Sequence, residues 1–161
     1  MAKMIKVGMA DLNICHTPDA ITTLGLGSCV GVALYDKTTK IAGLVHVMLP
    51  DSTKVRQNQN RAKFADTGID YLIELLEKEG ARKSSLTAKI AGGAQMFAFN
   101  SNNDMLRVGE RNIEAVKEKL KSIGIRILAE DTGLNYGRTV EFYPETGDFV
   151  IKSVGKPVKT I

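Results

Sequence analysis

Residues 29–49 read CVGVALY, then DKTTK, then IAGLVHVML, so two mainly apolar runs flank a short polar break. Runs of this length, rich in Val, Ile and Leu, read as β-strands. The break reads as a hairpin turn, and Pro50 stops the second strand. A turn symmetric about Thr38 and Thr39 sets Cys29 opposite Met48. Side chains alternate between faces along a strand, so His46 shares the face of Met48 and becomes the diagonal neighbour of Cys29, within side-chain reach. One β-bulge in either strand would reverse that parity. The stretch that decides the fold thus also brings a thiol to an imidazole.

On the amino-terminal side, Lys6 to Ala10 and Ala20 to Leu24 are short apolar stretches, predicted as two strands joined by a turn through Asn13, Pro18 and Asp19. Gly25-Leu-Gly27-Ser28 follows, a stretch that can turn tightly just before Cys29. On the carboxyl side, polar residues 51–63 read as a mobile loop. Ala65, Ile69, Leu72, Ile73 and Leu76 recur at helical spacing ahead of Gly80. Leu86 to Ala91 reads as a strand entering Gly92 and Gly93, and Ala94 to Phe99 as the start of a helix or a compact loop. Ile113, Val116, Leu120 and Ile123 mark a second amphipathic helix closed by Gly124. Ile125 to Ala129, Thr139 to Tyr143 and Phe149 to Val154 read as strands, with Thr146 and Gly147 in a turn. The expected fold is mixed α/β, with hairpins mingled with helices rather than a regular alternating parallel sheet.

The 161 residues fit one domain over 1–161, and 43% hydrophobic with 25% charged residues describes a chain able to bury a core. The net charge of +4 is spread among acids, as in Glu114 to Lys121, and tryptophan is absent. Both features argue against a nucleic-acid partner. Met1 to Asp11 lacks the apolar core of a signal peptide and no run approaches the ~20 residues that cross a bilayer. The expected location is the cytoplasm, without membrane insertion. In that reducing compartment the two cysteines are expected as separate thiols.

Alone, Cys29 reads as a small buried hydrophobe and His46 as a satisfied core histidine. Their pairing changes this, because an imidazole can take a thiol's proton and create the nucleophile that attacks carbonyl carbon. A hydroxyl at Thr22 or Thr23 could accept the other ring hydrogen, and spacing does not choose between them. The turn at Gly27 and Ser28 offers backbone N–H groups to a developing oxyanion, or is simply a tight turn. Cys15 and His16 form a rival pair. Neighbours in a strand point to opposite faces, and Asn13 and Pro18 suggest exposure. No zinc-binding spacing occurs, so no metal is expected. The Gly92-Gly93 turn lacks the rest of a P-loop or dinucleotide motif, and close strand-to-helix packing explains it better. Phe97 and Phe99, if exposed together, would mark a protein contact.

The string Thr23-Leu-Gly-Leu-Gly-Ser-Cys29 with His46-Val-Met-Leu-Pro-Asp-Ser52 resembles the signature of the CheD family of chemoreceptor glutamine deamidases. The likeness continues through Lys63 to Thr67, Lys89 to Ala94, Gly109 to Asn112, Glu130 to Gly133 and Gly137 to Val140. It departs at Leu134, where a second glycine is expected. The resemblance implies a mixed β-sandwich with flanking helices, like that of the toxin deamidase CNF. It also implies a Cys-His-Thr triad matching Cys29, His46 and Thr23, so it chooses Thr23 over Thr22. Further, it implies that glutamines on the cytoplasmic region of chemotaxis receptors are the substrate and that the CheY-phosphatase CheC is a partner; Phe97 and Phe99 are the contact expected for it, and the expected mechanism requires no cofactor. The rival reading is a non-catalytic adaptor that regulates receptors and CheC.

Overall fold

A computed structural model describes residues 2–96 and 107–161. Two five-stranded sheets face each other, and helices cover the outer side of one. The first sheet has the order β1-β3-β8-β9-β10, formed by Met4–Val7, Ala20–Leu26, Arg138–Tyr143, Asp148–Lys152 and Lys159–Thr160. The second has the order β2-β5-β4-β6-β7, formed by Leu12–His16, Ile41–Val47, Val30–Asp36, Leu86–Gly92 and Arg126–Thr132. The architecture is the expected sandwich with flanking helices.

β4 and β5 form the hairpin predicted over residues 29–49. Their ladder runs without a shift from Val30↔Val47 to Asp36↔Ile41, the register of a turn symmetric about Thr38 and Thr39. Every residue of both strands is buried. This is the mark of a strand covered on both faces, and it explains why the sequence shows near-continuous apolar runs instead of clean alternation. The faces still differ in what they meet. Val30, Val32, Leu34, Val45 and Val47 pack toward the helices, whereas Cys29, Ala33, Tyr35, Ala42 and Leu44 pack toward the first sheet.

Helix α1 (Ala65–Lys78) lays Ile69, Leu72, Ile73 and Leu76 on β5 and β2, and ends before Gly80, whose φ of +106° suits a residue without Cβ. Burying each such side chain is worth about 1.5–3 kcal/mol. Helix α2 (Val108–Ser122) buries Gly109, Asn112, Val116 and Leu120. The expected Ile113 and Ile123 lie at the margin of that face, partly buried against the same core.

Three expectations are corrected. The first two predicted strands are β1 and β3, which pair in parallel, and β2 intervenes where a turn was expected. Parallel neighbours need a crossing connection, and β2 supplies it by joining the other sheet. Cys15 is buried at 1% exposure instead of exposed, while His16 faces out and pairs with Glu79 at 3.1 Å. The polar stretch expected as a mobile loop carries two 3-10 turns, Ser52–Lys54 and Arg61–Lys63, and is tied to α1 where Ser52 donates from its backbone N and Oγ to Asp66. The short strand β10 gave no readable signal in two residues.

Candidate active site

Cys29 lies one residue before β4, beyond the last rung of the β4–β5 ladder, with Gly31 directly across from His46. The uninterrupted register keeps the expected parity. Cys29 packs on the face that meets the first sheet, and His46, two residues along β5 from Leu44 of that face, bonds Thr23 of the first sheet. Thr23 reaches His46 from β3, so the three residues come from both layers of the sandwich. Two residues beyond Thr23 the β3–β8 register shifts at Gly25, which has φ +69°. Beyond that irregularity Leu26 pairs again with β8, opposite Arg138, and the chain then enters the Gly27-Ser28 turn.

Hydrogen bonding fixes how His46 presents its ring. Thr23 Oγ1 carries a single hydrogen and lies 2.8 Å from the Val7 carbonyl oxygen, which can only accept it. The 2.7 Å contact between Thr23 Oγ1 and His46 Nδ1 must then be donated by the ring. A neutral imidazole protonated on Nδ1 keeps its lone pair on Nε2, and this buried atom has no hydrogen-bond partner among the described residues. Thr22 does something else, donating to the Val140 carbonyl oxygen at 2.7 Å.

Burial governs the charge states. It raises the Cys29 thiol above its ordinary value and lowers the His46 imidazole below its own. Burial thus favours the uncharged form of each group, thiol and imidazole.

Behind Cys29, three consecutive carbonyls are gripped from the protein side. Ala94 N–H donates to Gly27 O at 2.8 Å, Asn112 Nδ2 to Ser28 O at 2.9 Å, and Gly93 N–H to Cys29 O at 2.8 Å. A trans peptide points its C=O and the next N–H in opposite directions. The N–H groups of Ser28 and Cys29 therefore face away from this grip, and neither has a partner among the described residues.

Gly92 and Gly93 make the grip possible. A Cβ on Gly92 would overlap the Cys29 carbonyl oxygen, and one on Gly93 would overlap Ile113 of α2. The close packing expected for this turn is what the structure shows. The loop after β7 adds a further tie, because Gly133 N–H donates to Gly92 O and Gln95 N–H to Leu134 O, both at 2.9 Å. Arg138, with its side chain fully buried, bonds Gly133 O through Nη1 and Asp131 through Nε, each at 3.1 Å. Met96 lies against Gly27, and Met96, Leu24 and Leu134 are exposed apolar residues near the turn.

A cavity of about 770 Å³ between α2 and the segment after β5, lined by Pro50, Asp51, Lys54, Arg111 and Glu118, does not include Cys29, His46 or Thr23. It is not where these groups converge. Phe97 and Phe99 lie outside the described residues.

The family model described as "CheD chemotactic sensory transduction" matches residues 48–153. The chain belongs to the CheD family. The match begins just past His46, so the likeness around Cys29 rests on whole-chain relatives. The chain is 71% identical over 161 residues, 100% of each chain, to "Probable chemoreceptor glutamine deamidase CheD" of Lachnoclostridium phytofermentans. It is 56% identical over 162 residues, again 100% of each, to "Chemoreceptor glutamine deamidase CheD" of Halalkalibacterium halodurans. No helix among the described residues is long and apolar enough to cross a membrane.

Asn112 escaped the sequence reading as a site residue. It stood in the Gly109 to Asn112 block that carried the CheD resemblance, and it is a polar side chain on the face of α2 that meets the core. A buried amide demands partners, and that demand was the available signal.

Proposed function

We propose that this chain deamidates glutamine side chains on the cytoplasmic regions of chemotaxis receptors, with Cys29 as nucleophile, His46 as base and acid, and Thr23 as the group that orients His46. The observation that carries this reading is the Val7–Thr23–His46 chain of hydrogen bonds, which leaves the Nε2 lone pair in the same face as Cys29. The names of the full-length relatives supply the substrate class.

In the reaction, Nε2 takes the thiol proton as Sγ attacks the glutamine carboxamide carbon. The carbonyl oxygen becomes an oxyanion, received by the outward N–H groups of Ser28 and Cys29 at the Gly27-Ser28 turn. The imidazolium returns its proton to the departing nitrogen, which leaves as ammonia, and a thioester remains. Water then loses a proton to Nε2 and attacks the thioester, releasing glutamate and the Cys29 thiol. The buried, neutral resting pair suits this sequence, since the thiolate forms as substrate is attacked rather than standing free. No cofactor enters. Residues 1–161 work as one unit in the cytoplasm, with CheC as a protein partner and Phe97 and Phe99 as its contact.

The test is incubation of the protein with receptor cytoplasmic fragments, followed by peptide mass spectra that read conversion of glutamine to glutamate. Conversion that disappears in Cys29→Ala is the expected result. Fragments that bind but stay unchanged would refute the enzymatic reading and favour an adaptor.

A further inference from the structure

Asn112 is fully buried, and its amide reaches across from α2 to the two chain segments that carry the reacting pair. Nδ2 lies 2.9 Å from the carbonyl oxygen of Ser28, the residue before Cys29, and 2.9 Å from that of Met48, two residues after His46. Two acceptors at this distance require the NH2 end of the amide, so the orientation of the side chain is set by its neighbours. Both hydrogens are spent on these carbonyls.

The consequence lies on the far side of the Ser28–Cys29 peptide. That bond is planar and trans, so a C=O held toward α2 sends the Cys29 N–H away from α2. Gly27 O and Cys29 O are held by backbone N–H groups of Ala94 and Gly93, but the Ser28 carbonyl is held by a side chain. The orientation of the Cys29 N–H thus hangs on one replaceable group.

We propose that Asn112 is a positioning residue: by fixing the Ser28 carbonyl, with its second hydrogen on the Met48 carbonyl, it aims the Cys29 N–H at the oxyanion. The inference rests on Cys29 being the nucleophile. Asn112 touches neither substrate nor thiol and acts through the peptide it orients.

The test separates attack that makes an oxyanion from attack that does not. Alkylation of Cys29 by iodoacetamide displaces iodide from a saturated carbon and needs no oxyanion donor, whereas deamidation does. In Asn112→Ala and Asn112→Ser, deamidation of a receptor fragment should fall at least tenfold, toward the ~10²–10³ lost when an oxyanion donor is removed. Alkylation should stay within about threefold of wild type, since the thiol and its base are untouched. An equal fall in both rates, or no fall in deamidation, would overturn the proposal.

Wild-type protein gives a check that no folding defect can blur. The Cys29 amide proton should shift downfield in NMR spectra when a glutamine-mimicking peptide aldehyde forms its hemithioacetal with Cys29. An unmoved amide proton would also overturn the proposal. Deamidation that survives complete alkylation of Cys29 would overturn the nucleophile assignment, and this inference with it.

Discussion

Replacing Thr23 by Val keeps the shape of the side chain and deletes its hydroxyl. The loss is concentrated, because Thr23 Oγ1 both donates to Val7 O at 2.8 Å and accepts from His46 Nδ1 at 2.7 Å, in a place where Thr23 is 1% and His46 0% exposed. Two buried groups lose their partner. An unsatisfied buried donor or acceptor costs about 1–3 kcal/mol, so the variant should be less stable by about 2–4 kcal/mol once the relief of burying no hydroxyl is allowed for. Against a typical total of about 5–15 kcal/mol, the protein should still fold.

The catalytic effect has a separate origin. With no acceptor opposite Nδ1, the ring hydrogen is better placed on Nε2, and that tautomer has no lone pair toward Cys29. A preference of about 1.4–2.8 kcal/mol for it would leave roughly one molecule in ten to one in a hundred with a basic Nε2. Ammonia release per folded molecule should fall by the same factor, while Thr23→Ser, which keeps the hydroxyl, should stay near wild type. Nitrogen-15 spectra of the histidine ring would show the exchange of tautomers directly. Thr23→Val with the expected loss of stability but with deamidation within about twofold of wild type would refute the reasoning.

The pH dependence follows from burial. His46 is held below its ordinary 6.5, so its contribution to stability is complete above 6.5 and drains as pH falls from there through its folded value. Cys29 and Cys15 are raised from 9.0, Cys15 to about 12, so their contributions are complete below 9.0 and are lost as pH rises through the folded values. Urea melts should therefore place the decline due to these groups outside pH 6.5–9.0, and kcat/KM should keep its acid limb below 6.5; an acid limb above 6.5 would contradict the burial argument. Leu134 adopts φ +61° with 65% of its surface exposed. A non-glycine residue pays about 1–2 kcal/mol there, partly offset by the greater freedom of glycine in the unfolded chain, so Leu134→Gly should leave stability unchanged or raise it by up to about 1 kcal/mol. A loss of more than 1 kcal/mol in the same melts would show that the side chain has a packing role.

The central hairpin was legible because its information is local. Two apolar runs around a symmetric polar turn set register and parity together, and the register places Gly31 across from His46 as that reading requires. The helix over Ala65–Lys78 was legible for the same reason, through the spacing of Ile69, Leu72, Ile73 and Leu76. β2 was hidden because its five residues mix Leu12, Ile14 and the buried Cys15 with the polar Asn13 and His16 without regular alternation, and a nearby Pro18 makes the stretch look like a turn. The choice of Thr23 over Thr22 was likewise not local. Both threonines are buried, and what separates them is a contact across the sandwich to a strand 23 residues away.

The least legible part of the site is its backbone. Carbonyl orientation at Gly27, Ser28 and Cys29 depends on N–H groups of Gly93 and Ala94 and on the amide of Asn112, all brought from beyond residue 90 by the β4–β6 pairing and the packing of α2. Sequence could place glycine at positions 92 and 93 but not the carbonyl oxygen that a Cβ on Gly92 would meet. The side chains that do the proposed chemistry are specified by strand parity. The backbone dipoles that would stabilise its charge are specified by the turn after β6 and by one side chain of α2, neither of which contributes a reacting group. Two kinds of substitution should therefore separate cleanly: changes at Thr23 act on proton transfer, and changes at Gly92, Gly93 and Asn112 act on the oxyanion. In the proposed mechanism proton transfer rests on Thr23 and His46 and charge stabilisation on backbone held by Gly93, Ala94 and Asn112, so each should be weakened without dismantling the other.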